Sequence, residues 1–280
     1  MRHKSTLLLS SISIIFLNLV FSQISFYEKN KIIFSKQLIS EDFTADYFFW
    51  TIDNRFLVLD KDFGSIYKFG LSDDIFKTFQ NYNLSETFGE LTGIVFTSFG
   101  VAIFDKNNNQ IIKLDYELNP VTIDMLDIPL YPEKATLDSW GRINIYSKRL
   151  KGIFIYGNDI DEKKLINLEH IPSFDNCISD MECNSEGDLA ILDCKGEVYV
   201  FNVLGKLRFS FPPNIKSAKF IIPYKNNWIV FDRQGKGVNL TDKSKIFLPE
   251  TKFKLKDIIV MDNKIALLYN SYISILNVQD

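Results

Sequence analysis

One segment is repeated six times in the sequence, and charged residues recur at the position where the first strand of each copy is expected to begin. These six positions hold Asp46, Gly93, Lys134, Asp180, Lys219 and Asp257. If the six first strands surround a common axis, the five charged side chains meet at the mouth of a channel. They would then form a ligand-binding site for one polar molecule. The alternative is that they are ordinary solvated loop residues that pair with one another.

Three of these residues also have the chemistry of a metal site. Asp46, Asp180 and Asp257 offer carboxylate oxygens, which are the ligands that Ca²⁺ prefers. Calcium at the axis would suit a hydrolase, in which the metal polarises a carbonyl group. The alternative to a binding protein is therefore a calcium-dependent enzyme of the lactonase or esterase type.

Other catalytic chemistries find few residues in this chain. Beyond His3 the sequence contains one histidine, His170, so a zinc site with several histidines cannot be assembled. His170 lies in the connector "LEHIPSFDN", where a solvated loop residue is expected. There is no P-loop and no dinucleotide fingerprint. We therefore predict no catalytic residues and no cofactor for the main interpretation.

The elements that position these residues follow from an internal repeat of about 40 residues. Six hairpin turns are indicated by pairs of residues that contain Asn, Asp or Gly, which tolerate positive φ. The second residues of these pairs are Asn54, Gly100, Gly141, Gly187, Asn227 and Asn263. An apolar strand precedes each turn and two strands follow it. A fourth, more polar strand ends units one to five. Four short strands in each of six units predict an all-β fold, a six-bladed β-propeller.

The sixth unit stops after its third strand. The segment "EKNKIIFSK" (Glu28 to Lys36) lies before the first unit and resembles the last strand of the fifth unit, "DKSKIFLP". We therefore expect the N-terminal strand to complete the last blade and to cover its open edge. The chain has 25 Phe residues, and large aromatic side chains are expected to fill the wedges between blades. The aromatic residues of the inner two strands that are expected in the core are Phe48, Phe49, Trp50, Phe96, Phe104, Trp228 and Phe231.

An Asp recurs where the second strand of a unit ends, at Asp60, Asp105, Asp193 and Asp232, with Ser147 and Asn270 in the other two units. A residue that appears once per blade serves the blade, because an active site needs its groups in one place. Asp, Ser and Asn accept hydrogen bonds from backbone N–H groups two residues onward, so we interpret this set as turn-forming.

The repeated phrase resembles the NHL repeat. The segment "GVAIFDKNNNQIIKL" (Gly100 to Leu114) has the Gly, Asp, Asn and Ile positions of that repeat, and "GDLAILDCKGEVYVF" (Gly187 to Phe201) has them in part. The resemblance implies a six-bladed propeller that most often serves as a binding platform. It also implies that some proteins of this architecture are secreted lyases or lactonases with a metal in the central channel.

The N-terminus has the pattern of a secretory signal peptide over residues 1–22. Arg2, His3 and Lys4 precede the mostly apolar run "LLLSSISIIFLNLVF". Cleavage would leave one propeller domain, residues 23–280, secreted or periplasmic and without membrane insertion; an uncleaved anchor is the alternative. In an oxidising compartment two of Cys177, Cys183 and Cys194 could pair, and Cys177 with Cys194 is the pair to test first. The alternative to a disulfide is that the three cysteines occur by chance or pack in the core.

The net charge of −3, with Lys mixed among Asp and Glu, leaves no basic stripe and disfavours nucleic acid. The main functional prediction is a non-enzymatic binding module for a protein or peptide, with a glycan as another partner.

Overall fold

The structure, a computed structural model, describes residues 24–35, 38, 43–71, 75–79, 88–156, 163–212, 215–225 and 227–279. Within these residues the chain forms 24 β-strands and one short 3₁₀ helix, Leu168–His170. The strands make six antiparallel sheets of four strands each. The predicted signal peptide, residues 1–22, lies outside the described residues. Among the described residues, no helix has the length and hydropathy needed to cross a bilayer.

Each sheet is one blade. Blade 1 consists of β2 (Tyr47–Trp50), β3 (Phe56–Asp60), β4 (Ser65–Phe69) and β5 (Ile75–Phe79). Blade 2 consists of β6 (Leu91–Thr97), β7 (Gly100–Asp105), β8 (Gln110–Leu114) and β9 (Pro120–Met125). Blade 3 consists of β10 (Lys134–Leu137), β11 (Ile143–Ser147), β12 (Gly152–Tyr156) and β13 (Lys163–Asn167). Blades 4 and 5 consist of β14 (Ile178–Cys183), β15 (Leu189–Asp193), β16 (Val198–Phe201) and β17 (Leu207–Phe211); and β18 (Phe220–Tyr224), β19 (Asn227–Phe231), β20 (Lys236–Asn239) and β21 (Lys245–Phe247). Blade 6 consists of β22 (Asp257–Met261), β23 (Lys264–Leu268), β24 (Tyr272–Gln279) and β1 (Ser25–Ile33).

The first strand of each blade lies nearest the axis. These inner strands contact one another in a closed circle, in the order β2, β6, β10, β14, β18, β22 and back to β2. The predicted six-bladed propeller is therefore confirmed.

The hydrophobic core lies in the wedges between neighbouring blades. Six clusters of buried side chains each join two adjacent blades, and blades 6 and 1 share the cluster that contains Phe48, Trp50 and Ile273. Of the aromatic residues expected in the core, five are buried: Phe48, Trp50, Phe104, Trp228 and Phe231. Phe49 and Phe96 remain partly exposed because they line the axial cavity. Each buried Phe contributes about 1.5–3 kcal/mol of transfer free energy.

Blade 6 takes its outermost strand from the beginning of the described chain. β1 pairs antiparallel with β24, with Ile32 opposite Ile273, and Phe34 N donates to Ser271 O at 2.9 Å. Ile32 and Phe34 are fully buried and anchor this strand. The strand starts at Ser25, three residues before the segment that the sequence indicates.

Two of the predicted turns require glycine. Gly100 has φ +126°, and a Cβ there would collide with the carbonyl oxygen of Leu114. Gly187 has φ +80°, and a Cβ there would collide with the indole ring of Trp140 from the preceding blade. Trp140 itself is exposed at the rim.

The aspartates that end the second strands bind the backbone, which confirms the turn-forming interpretation. Asp60 Oδ1 accepts from the N–H groups of Asp62 and Phe63, both at 3.1 Å. Asp193 and Asp232 accept from the second and fourth residues onward at 2.8–2.9 Å. These side chains therefore fix the turn between the second and third strands of their blades.

The sulfur atoms of Cys177 and Cys194 form a disulfide, with the Cα atoms 5.5 Å apart. It is the pair that the sequence puts first to test, and it forms because β14 and β15 align Ile178 with Asp193 and bring the adjacent cysteines together. Cys183 is a free thiol in the wall of the axial cavity. Its sulfur lies 3.5 Å from the Asn144 amide nitrogen, and burial raises the pKa of the thiol.

Candidate functional site

A cavity of about 700 Å³ runs along the propeller axis and is lined by all six inner strands. Its wall has three levels, which follow from the strand direction. Residues just before an inner strand, or just after a second strand, lie at one opening because the two strands are antiparallel. We call this level the cationic mouth; its residues are Asp46, Lys61, Lys219, Arg233 and Lys256.

Below the mouth lies a level that we call the acidic belt, made of Lys134, Thr136, Asp180, Glu182 and Asp257. Below the belt the wall is mainly apolar. This apolar end comprises Phe96, Leu137 and Met261, while Phe49 and Ile259 lie in register with Thr136 and Glu182.

The belt carboxylates are held by the neighbouring inner strand. Asp180 Oδ2 accepts a hydrogen bond from Ile221 N at 2.9 Å, and Glu182 Oε2 accepts from Thr136 Oγ1 at 3.1 Å. Asp257 Oδ2 lies 3.5 Å from Phe48 N, and Asp257 Oδ1 accepts from Ile258 N at 2.9 Å. These bonds tie adjacent blades together and also fix where the carboxylates stand.

Local strand geometry brings two of these side chains to one face. Asp180 and Glu182 are two residues apart on β14, and side chains at that spacing point to the same side of a strand. Each is only partly accessible to solvent because it lines the cavity and is otherwise surrounded by protein. The charged form of each carboxylate is therefore poorly solvated.

Burial and mutual repulsion shift the proton affinities of the belt. Burial, followed by repulsion from Asp180, raises the pKa of Asp257 to about 7, although Lys134 opposes the shift. Burial, with repulsion from Asp180 and Asp257, raises the pKa of Glu182 well above its ordinary value. Asp257 therefore titrates near neutral pH, and Glu182 holds its proton to a higher pH than an ordinary glutamate does.

Lys134 provides the opposing charge. Burial alone would lower the pKa of Lys134, but attraction to Asp180, Tyr47 and Asp257 outweighs it and raises the pKa. Burial also raises the pKa of Asp180, and Lys134 is the largest charge that opposes this. The Lys134 ammonium and the Asp180 carboxylate thus form the charged pair of the belt.

The structure brings together most of the residues that the sequence predicts. Lys134, Asp180 and Asp257 interact in the belt, and Lys219 lies just above, where Asp180 attracts it. Asp46 is separate: its Oδ2 accepts from Lys61 N at 3.3 Å, and Lys256 Nζ lies 3.9 Å from its Oδ1. His170 lies outside the cavity, exposed in the 3₁₀ helix.

The carboxylates of Asp46, Asp180 and Asp257, predicted to hold calcium, do not converge. Among the described residues, the one group of three acidic, His or Cys side chains with ligand atoms within 4.8 Å of one another is Asp46, Asp60 and Asp62. In that group the Asp60 carboxylate already accepts hydrogen bonds from backbone N–H groups. In the belt, the Lys134 ammonium supplies the positive charge among the carboxylates. The side chains therefore do not fit a calcium ion held by the predicted three residues.

Sequence reasoning missed Glu182, Tyr47, Lys61 and Arg233. A period-two reading that started at Asp180 would have found Glu182, since it is the next residue on the same face of the strand. Lys61 and Arg233 directly follow the turn aspartates Asp60 and Asp232, which places them at the same opening as the inner-strand entries.

Comparison with solved structures gives matches over the whole propeller. Virginiamycin B lyase from Staphylococcus aureus, solved as a catalytically inactive variant with quinupristin, is 12% identical, with a TM-score of 0.65 and coverage of 91% of this chain and 99% of that chain. A streptogramin B lyase structure is 14% identical, with a TM-score of 0.63 and coverage of 91% and 98%. The fold resembles that of these lyases. No family model and no curated protein matches the sequence.

This comparison corrects the main functional prediction. The sequence interpretation of a non-enzymatic binding module is wrong on this finding, because the solved structures that share the fold are enzymes. The prediction failed because it looked for a histidine-based or metal-based catalytic set. The acidic belt becomes visible only when the inner strands are placed around one axis.

Proposed function

We propose that this chain is an enzyme that cleaves an ester bond by general acid–base catalysis in the acidic belt. The observation that carries the proposal is the set of three carboxylates and one ammonium group facing a single cavity. Asp257 titrates near neutral pH, and the pKa of Glu182 is also raised, so the belt supplies groups for the roles of base and acid. Carboxylates with perturbed proton affinities in one cavity are typical of acid–base catalytic sites.

Asp257 is the proposed general base. Its pKa of about 7 gives it both an ionised fraction and a useful proton affinity near neutral pH. In a hydrolysis it would remove the proton from the attacking water. In an elimination it would remove the proton from the carbon adjacent to the carbon that carries the alkyl oxygen, so that a C=C bond forms as the alkyl C–O bond breaks and the carboxylate leaves. A positioned base of this kind contributes about 10²- to 10⁴-fold to the rate.

Lys134 and Glu182 supply the other two roles. In a hydrolysis the Lys134 ammonium stabilises the negative charge on the carbonyl oxygen of the tetrahedral intermediate, and in an elimination it stabilises the charge on the leaving carboxylate. Glu182, whose pKa is raised and which is fixed by its hydrogen bond from Thr136, donates a proton to the leaving alkoxide in the hydrolysis. Asp180 holds Lys134 in place and is a positioning residue.

The test uses purified residues 23–280 and a panel of esters and lactones. We expect cleavage with a pH–rate profile whose acidic limb reports Asp257, and we expect activity to persist in EDTA since Lys134 provides the positive charge. Reaction in H₂¹⁸O separates the two routes, because hydrolysis incorporates one ¹⁸O into the acid and elimination incorporates none. Activity that is abolished by EDTA and restored by calcium would contradict the assigned role of Lys134. Turnover that survives Asp257→Asn unchanged would contradict the proposed base.

The proposed compartment remains the secreted or periplasmic one. The Cys177–Cys194 disulfide supports it, because structural disulfides persist in oxidising compartments. Mass spectrometry of the secreted protein would show whether the chain begins after Ser22.

A further inference from the structure

The opening of the axial cavity carries an excess of positive charge. Four cationic side chains, those of Lys61, Lys219, Arg233 and Lys256, line this opening together with one carboxylate, that of Asp46. They come from blades 1, 5 and 6, so they flank one side of the opening.

These cations have few anionic partners in the described part of the chain. The single ion pair seen for the four is the long contact between Lys256 Nζ and Asp46 Oδ1, at 3.9 Å. Lys219 Nζ donates to a neutral group, Ser179 Oγ, at 3.2 Å. Lys61 and Arg233 have no ion pair within 4.0 Å among the described residues.

The nearby turn aspartates Asp60 and Asp232 form no ion pair with these cations within 4.0 Å among the described residues, although the carboxylates of Asp60 and Asp62 lie within 4.8 Å of that of Asp46. Asp60 accepts from the backbone of Asp62 and Phe63, and Asp232 accepts from the backbone of its own turn. Lys61 and Arg233 therefore follow aspartates whose oxygens point into turns.

The cations at the opening also repel one another. Burial lowers the pKa of Lys219, and the neighbouring charges of Lys134 and Arg233 lower it further, while Asp180 alone acts in the opposite direction. Cationic side chains held around one opening raise the local concentration of anions there.

We propose that the substrate of the axial site is an anionic ester, whose carboxylate or phosphate group binds the cationic mouth while its ester bond reaches the acidic belt. This inference rests on the proposed function for the ester bond. The mouth selects the charge, and the apolar end accommodates an apolar group on the far side of the scissile bond.

The experiment compares two matched substrates, mono-p-nitrophenyl glutarate, which is anionic, and p-nitrophenyl butyrate, which is neutral. We expect wild-type protein to favour the anionic ester in kcat/KM, with a preference that falls as salt screens the mouth. The double variant Lys61→Gln/Arg233→Gln should lower that preference about tenfold. Free glutarate should raise the Tm of wild-type protein and raise it less in the variant.

The control is Lys148→Gln/Lys195→Gln. These two exposed lysines lie in the corresponding turns of blades 3 and 4, on the same face of the propeller but outside the cavity wall. The control removes the same net charge, so it should leave the preference and the glutarate shift unchanged. Equal loss in both variants would show a general charge effect and overturn the inference.

The two proposals fail in different ways. If the protein cleaves the neutral ester as efficiently as the anionic one and glutarate does not shift its Tm, the inference is wrong and the ester-cleaving function stands. If neither ester is cleaved but glutarate raises the Tm of wild-type protein and not of the Lys61/Arg233 variant, the anion site stands and the hydrolytic form of the proposed function is wrong.

Discussion

The aspartates that end the second strands and the carboxylates of the acidic belt place the same chemical group in two different settings. Asp105 is fully buried, yet it accepts four hydrogen bonds, from Gly89 N, Asn108 N, Asn108 Nδ2 and Gln110 Nε2. Glu182 is more accessible but accepts one, from Thr136, and faces two other carboxylates. Hydrogen-bond donors stabilise the charged form of a buried carboxylate and neighbouring carboxylates destabilise it, so the surroundings of the group matter as well as its depth.

The largest expected effect comes from removing charge at Asp105. In Asp105→Asn, the new amide must turn its NH₂ group toward a donor, because both oxygens of Asp105 are used. We expect the free energy of unfolding to fall by about 3 kcal/mol, since hydrogen bonds to a charged group are lost and buried donors are left unpaired. Urea denaturation measures it.

Asp193→Asn is the matched control. Asp193 Oδ1 accepts both turn hydrogen bonds and Oδ2 has no partner among the described residues, so an amide fits there. We expect a loss below about 1 kcal/mol. Equal losses at the two positions would mean that donor count does not distinguish the turn aspartates.

In the acidic belt, a substitution of Asp by Asn should lower the activity and not the stability. Asp257→Asn should lower kcat/KM about 100-fold, because the general base is removed. At pH 8 the variant should be at least as stable as the wild type, since it no longer carries a buried charge next to Asp180. Steady-state kinetics and urea denaturation at pH 8 check both parts, and a strongly destabilised variant would place Asp257 with the structural set.

The pH dependence of stability sharpens the contrast. The pKa of Asp257 is raised from 3.8 to about 7 on folding, so between these values the folded state binds more protons than the unfolded state. The contribution of this group is therefore favourable at low pH and is lost as the pH rises toward 7. Wild-type protein should lose stability relative to Asp257→Asn across that range. A difference between the two proteins that stays constant from pH 4 to pH 8 would contradict the raised pKa.

The smallest expected effect is a change in the pH–rate profile. Lys134→Met removes the ammonium that favours the ionised form of Asp257, so the acidic limb should move up by about one pH unit. The residual rate should also fall, because the oxyanion loses its partner. A limb that does not move would mean that Lys134 does not face Asp257.

The architecture was predictable because it repeats. Six short turns and six apolar second strands determine six blades without any single strong motif. Asn or Gly has positive φ in four of these turns, whereas Lys225 and Asp262 have it in the fifth and sixth. The five predicted site residues were found by the same regularity, since each occupies the entry of an inner strand. Glu182 was missed because it lies inside "DMECNS", which reads as an ordinary strand until its face is known.

The chemistry of the site was not predictable from residue types. Asp180 and Asp257 are far apart in the chain, and their mutual repulsion exists only after the ring closes. Asp46 lies one register position before the belt: Tyr47 pairs with Leu59 as Asp257 pairs with Leu268, so Asp46 contacts Lys61 and Lys256 at the mouth. The sequence alone does not give this one-residue offset, because it depends on the register between the first and second strands.

The pairing of β1 with β24 has a consequence for how the protein is made. Ile32 is synthesised early, but its partner Ile273 leaves the ribosome about 240 residues later, which takes tens of seconds at ordinary elongation rates. The last blade and the belt residue Asp257 can be completed only when synthesis is nearly finished. A cell that exports this chain through a narrow channel can therefore keep it unfolded, and inactive, until it has crossed.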